Sequence, residues 1–192
     1  MSIAPKAPPA RQRILLTAHD LFYREGIRAT GIDRIIKESG VTKVTFYRHF
    51  PSKNELIQAF LNYRHQQWLA WFSGSLARHV AQSGGLLSAL PLCLEEWFGD
   101  PHYRGCAFIN TAVELADILP ESLRFAQQHK RQMADEIARH LPEGPEQQPR
   151  AAMLAMLIDG AIVKVQIERQ PQETLRLLKE MLQTLAKGGF AQ

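Results

Sequence analysis

An all-α fold is the class this sequence predicts, and three observations carry the prediction. Apolar residues recur at three- and four-residue spacing along almost the whole chain. No stretch alternates with the two-residue period of a half-buried strand. Gly, Pro and small polar residues fall between the periodic runs, where helices stop and start. At 192 residues, with 45% hydrophobic and 22% charged, the chain can bury a core and is not disordered as a whole.

The elements follow in order. MSIAPKAPPA (1–10) holds three prolines and no apolar run, so it reads as a flexible N-terminal arm rather than a secretory signal. Residues 11–25 place Ile14, Ala18, Leu21 and Phe22 on one face, and Gly26 is a natural stop. A second helix is expected to begin at Thr30, whose hydroxyl can cap it, with Asp33 in the first turn and Ile32, Ile35 and Ile36 as its buried stripe. Gly40 can supply the left-handed residue that ends it. A short third helix follows Thr42, a good N-cap. Pro51 then breaks the chain, and Ser52 with Glu55 resembles a capping box at the start of a fourth helix of about twenty residues, KNELIQAFLNYRHQQWLAWF. Further helices are expected near 86–98, 102–118, 121–140, 150–169 and 172–187, separated by GDPHYRG, Pro120, LPEGPEQQP and Pro171.

Charge is unevenly placed. Residues 1–53 hold ten Lys/Arg against four Asp/Glu, a net of +6, whereas 54–192 hold thirteen against fifteen, a net of −2. A polyanion partner for the first quarter of the chain accounts for such a bias. Treated as a helix at about 100° per residue, 42–50 puts Phe46 and Phe50 together, facing a small core with Ile35 and Phe22. Val44, Thr45 and Arg48 lie opposite, flanked by Lys43 and Tyr47 on one edge and His49 on the other. A narrow apolar anchor under a wide cationic, hydrogen-bonding face is what the second helix of a helix-turn-helix needs to enter a major groove. A solvated basic face on a short helix carries the same charges. The joint spacing of Thr30, Ile32, Ile35, Gly40, Thr42, Tyr47, Phe50 and Lys53 favours the reader.

The run GIRATGIDRIIKESGVTKVTFYRHFPSKNEL closely resembles the DNA-binding region of TetR-family transcriptional regulators, over roughly residues 10–57. The resemblance implies an N-terminal three-helix helix-turn-helix domain (11–57) and a C-terminal helical bundle (58–192) for dimerisation and ligand binding. It implies Thr42, Lys43, Val44, Thr45, Tyr47, His49 and Lys53 as DNA contacts, with Thr30 on a phosphate; Arg48 joins them from its place on the polar face. Val44 departs from the small residue, often glycine, of many relatives, so the operator sequence does not carry over.

For the remaining two-thirds the resemblance implies a homodimer on a palindromic double-stranded DNA operator, and most often a repressor. An unidentified small, largely apolar effector would release it by shifting the fourth helix. Ala152, Ala155, Asp159, Gly160 and Val163, with Leu175, Leu178, Leu182 and Leu185, can form two interface helices, or else intrachain core. Trp68, Trp71, Phe72 and Phe125 are candidate cavity residues. Cys106, Asn110 and Glu114, one turn apart, join them if that face points inward. The competing class is a constitutive or architectural DNA-binding protein without effector.

An enzyme is not expected, since no phosphate-cradling loop or nucleophile–base motif appears. No cofactor or metal is expected either, because His102 and Cys106 offer two ligands without a third. Cys93 and Cys106 read as reduced, buried thiols in a cytoplasmic protein. The most apolar stretch, AAMLAMLIDGAIV, is short for a bilayer and carries Asp159, so no membrane partner is expected.

Overall fold

The computed structural model describes residues 8–190, and within them the chain forms nine α-helices and no strand. The first three build a small N-terminal unit. Helix α1 (Ala10–Glu25) ends at Gly26, whose φ of 95° suits glycine and whose N–H returns to the Phe22 carbonyl. Ala10 is already helical, which shortens the expected arm, and residues 1–7 of that arm lie outside the described residues. Helix α2 (Ile32–Ser39) stops at Gly40 in the left-handed region (φ 63°). Helix α3 (Lys43–His49) is capped by Thr42, whose hydroxyl accepts from the Thr45 amide at 3.2 Å.

Helix α4 (Lys53–Ser83) is capped by Ser52 through the Glu55 amide at 3.2 Å. It runs for 31 residues rather than the expected twenty or so. The stop anticipated near Ser73–Gly74 fails because Phe72, Ser75 and Leu76 are buried on either side of Gly74. An interior glycine costs a helix only about 1 kcal/mol against alanine, and that burial outweighs it.

The rest is α5 (Leu86–Phe98), α6 (Ala107–Leu115), α7 (Ser122–Ala138), α8 (Gln147–Glu168) and α9 (Pro171–Lys187). Helix α6 starts five residues later than expected. Residues 99–106 instead form a turn in which the Tyr103 amide bonds the Asp100 carbonyl and Gly105 takes φ 84°. Helices α4 and α5 pack together, α7 packs on α8, and α9 covers α5.

The two units share one hydrophobic core. The expected boundary at 57/58 falls inside α4, where Leu56, Ile57, Phe60 and Leu61 are all buried. Phe22 of α1 meets Phe60 of α4 edge to face at 5.4 Å between ring centroids. Among the described residues no helix is long and apolar enough to cross a membrane.

Deep in the C-terminal unit, His129 is buried with its ring stacked 3.8 Å from Phe108, edge-on to Trp68, and with Nδ1 3.1 Å from Nδ1 of His65. Burial, helped by Lys130, His65 and Arg64, pushes its pKa down to about 2. His19, between Phe60 and Tyr63, is lowered to about 4, again mainly by burial. Both imidazoles stay neutral in the fold, while in the unfolded chain they protonate near the usual value of about 6.5. Stability is therefore fully present above that value and is lost as pH falls toward the folded-state pKa. For His129 alone the loss reaches about 2 kcal/mol by pH 5. Urea midpoints at pH 7 and pH 5 should show it, and His129→Leu should shrink the difference.

Candidate nucleic-acid interface

The short α3 is held by Phe46, the one buried residue within it. The Phe46 ring lies 5.3 Å from Tyr47 and 6.4 Å from Phe50, which is itself buried. Around that anchor Thr42, Lys43, Val44, Tyr47 and Arg48 are exposed, and Thr45 and His49 half-buried. Val44 is 78% exposed, so an apolar side chain stands free at the centre of the face. Arg13 braces the turn between α2 and α3, its Nε donating to the Ser39 carbonyl at 3.2 Å, and Arg11 lies over the Phe50 ring at 5.1 Å. The helix is thus fixed from behind and cationic in front.

Two of the sequence-derived contacts are placed differently. Thr30 does not cap α2; Gly31 does, without a side-chain bond. The Thr30 hydroxyl instead donates to the Gly26 carbonyl at 2.8 Å, and the residue is fully buried, so it cannot reach a phosphate. Thr30 closes the turn after α1, a local bond that competes with capping. Lys53 also turns inward. Its Nζ donates to the Ile27 carbonyl at 2.7 Å, and partial burial pulls its pKa down, against the opposing pull of Glu114.

Glu114 is the residue whose role the sequence did not reveal. From α6 it reaches the turn after α1, where one carboxylate oxygen accepts from the Ile27 and Arg28 amides at 2.9 and 3.1 Å. A second tie lies alongside: the Tyr23 hydroxyl donates to the Gly105 carbonyl and accepts from the Arg104 amide, both at 3.0 Å, under the Arg64 guanidinium at 4.1 Å. The helix-turn-helix unit is therefore latched to α6 and the turn before it. The signal available in the sequence was the pair of amides left open beyond Gly26, but a partner 86 and 87 residues away from them has no local signature.

The seven candidate ligand residues do not form one site. Trp68, Trp71 and Phe72 belong to an aromatic cluster with Trp97, in which Trp68 and Phe72 stack at 4.7 Å. The Trp68 indole N–H is buried with no hydrogen-bond partner. Asn110 and Glu114 line a separate cleft between α1, α6 and α8. Both already have partners, since Asn110 bonds the Arg104 carbonyl and Gln166. Cys106 is buried as the N-cap of α6, and Phe125 is half-buried on α7. Among the described residues no group of three or more His, Cys, Asp or Glu is placed to hold a metal ion.

The candidate interface residues divide as well. Leu175, Leu178 and Leu182 are buried within the chain, on a helix packed against α5, and Ala155 is also buried. These four are core: the leucine stripe of α9 faces inward, and Ala155 is buried on α8. Asp159 pairs with Lys130 of α7. Ala152 and Gly160 remain exposed and Val163 half-buried. The exposed apolar face lies one position over, with Met153 and Met156 on α8 and Met181 on α9. It borders a groove of about 220 Å³ floored by Leu157, Gly160 and Leu177.

Comparison with known proteins converges on the same region. Residues 14–60 match the family model described as bacterial regulatory proteins, tetR family. An uncharacterized HTH-type transcriptional regulator, YxaF, of Bacillus subtilis is 36% identical over 74 residues, 38% of this chain and 34% of that protein. An HTH-type transcriptional regulator of Staphylococcus aureus (strain USA300) is 48% identical over 46 residues, 24% of this chain and 25% of that one. The chain thus spans about a third of one of these curated relatives and a quarter of the other. Solved structures extend the likeness to the whole fold. SCO4454, a TetR-family transcriptional regulator from Streptomyces coelicolor, is 28% identical with a TM-score of 0.76, covering 93% of this chain and 95% of that one. The multidrug binding protein EbrR, complexed with malachite green, shares the fold at 21% identity and TM-score 0.71, with coverage of 93% and 98%.

Proposed function

We propose that this chain, a member of the TetR family, is a homodimeric, sequence-specific DNA-binding transcriptional regulator, and a repressor released from a palindromic operator by a small-molecule effector. The observation that carries the reading is α3: a seven-residue helix pinned by one buried ring and presenting Lys43, Val44, Thr45, Tyr47 and Arg48 outward. Arg48 and Lys43 suit phosphate or guanine, Val44 suits a thymine methyl, and Tyr47 and Thr42 suit phosphate oxygens.

One such helix buries little DNA surface, so a two-fold partner supplies the second half-site. The methionine face of α8 and α9 suits that partner, since two copies would bury Met153, Met156 and Met181 in a four-helix contact. For the effector, the aromatic cluster is the favoured seat. The unpartnered indole N–H of Trp68 is a buried donor that a polar ligand atom would satisfy, and the malachite green bound by EbrR is itself aromatic. A ligand there would press on α4 and, through His129 stacked on Phe108, on α6, and the Glu114 latch would pass the shift to the reading head.

The alternative, constitutive DNA binding with no effector, draws on the ring-to-ring closure of that same cluster. Capture of genomic fragments by the full chain at near-physiological salt tests the reading, with Tyr47→Ala and Lys43→Ala in parallel. A few palindromic fragments should be retained, and lost with Tyr47→Ala. Lys43→Ala should weaken retention of all of them and lower the salt slope by about 1. Diffuse retention that disappears with added salt would leave only non-specific phosphate binding and sink the regulator reading.

A further inference from the structure

The cleft between α1, α6 and α8 holds about 480 Å³, within the size range of small-molecule sites. It is distinct from the aromatic cluster. Its lining includes Val113 and Ile167, 83% and 74% exposed, and half-buried Ile109. Arg104 and Arg169 line it too, as does the Glu25 carboxylate, which Arg34 pairs. Arg24, also on the cleft, pairs with Asp20 and Glu25. Among the described residues no such pair involves Arg104 or Arg169. Behind them the floor is fixed, because Gln166 donates to Asn110 at 3.0 Å and lies so close over Gly105 that an added Cβ would sit 2.0 Å from its amide oxygen.

Arg169 adds a second, independent observation. It ends α8 with φ 57°, the one positive φ among described non-glycine residues. Helices commonly place glycine there, because a Cβ strains the left-handed conformation. The arginine at that position puts a guanidinium on the cleft at the expense of backbone comfort.

We propose that this cleft binds a small amphipathic carboxylate, its anionic head on Arg104 and Arg169 and its apolar body along Ile109, Val113 and Ile167. A guanidinium pair reads a carboxylate through charge-assisted, fork-shaped hydrogen bonds. Exposed Val113 and Ile167, with half-buried Ile109, are the apolar area such a body would cover. Gly26, Ile27 and Glu114 line the same cleft, so an occupant touches the latch that holds the reading head. The site stands on the cleft; its effect on DNA rests on the function proposed above.

Titration calorimetry on the full chain tests it with decanoate and 2-naphthoate as probes and the matching uncharged alcohols as controls. At least one carboxylate should bind, and its alcohol should bind at least about tenfold more weakly. Arg104→Gln and Arg169→Gly should each weaken the carboxylate about tenfold. Arg169→Gly also relaxes the positive φ, so its melting temperature should hold or rise, which separates lost binding from lost folding. Absence of heat with both probes, equal binding of acid and alcohol, or unchanged affinity in both variants would overturn the site. Operator retention without probe is measured in the same preparation. Its failure would strike the regulator reading alone, whereas retention unaffected by a bound carboxylate would overturn the coupling to the latch.

Discussion

Phe46→Ala is expected to abolish specific DNA retention while the C-terminal helices stay folded. The ring is fully buried and is the one buried side chain within α3. Truncating a buried phenylalanine costs about 3–5 kcal/mol. A seven-residue helix has no stability of its own to absorb that loss, since isolated helices shorter than about 12 residues are marginal in water. The edge contact to Tyr47 disappears as well, and with it the support of a residue on the reading face.

Val44→Ala is the matched control. Val44 is 78% exposed, so its truncation should leave the urea midpoint within about 0.5 kcal/mol, while operator affinity falls only at positions where a thymine methyl is read. Circular dichroism, urea titration and fragment capture on both variants make the comparison. If Phe46→Ala kept operator affinity within about tenfold of the parent, the face would not depend on its anchor, and α3 as the reading element would be in doubt.

The contrast between these two residues also marks what the sequence made legible. Phe46 and Phe50 could be told from Val44 and Arg48 because helical geometry separates positions four apart from positions two apart, and Thr42 and Ser52 announced their caps locally. Thr30 misled because a threonine before an apolar stripe caps a helix in most contexts. Here the chain doubles back at Gly26, and the nearer carbonyl takes the hydroxyl. In α9 the leucines 175, 178 and 182 and the residues 177 and 181 are each spaced to form a stripe. Periodicity shows that a face exists, but which face is buried depends on where α5 lies, and that is tertiary. Candidate ligand residues were hardest to read for the same reason. Aromatic side chains at helical spacing serve core and cavity alike, and the cleft between α1, α6 and α8 brings together residues far apart in sequence.

Glu114→Ala is expected to loosen the reading head without removing a single DNA contact. Its carboxylate accepts two backbone amides of the turn after α1, and hydrogen bonds to a charged group contribute about 1.5–3 kcal/mol each. The site is half-buried, so water will recover part of this, and a net loss of about 2–3 kcal/mol is the expected scale. Glu114→Gln keeps one acceptor and should lose about half as much. Hydrogen exchange at the Ile27 and Arg28 amides should quicken in both variants, most in the alanine. DNA binding then separates a latch from a merely structural bond. A head that samples several orientations must be ordered on binding, so the affinity falls by the fraction of molecules correctly placed, about tenfold for one in ten. No phosphate contact is lost in the process, so the salt slope should equal the parent's, unlike Lys43→Ala, where it drops by about 1. Faster exchange with unchanged operator affinity would mean that α6 steadies the turn without steering the head, and the route from the helical domain to DNA would have to run through α4 instead.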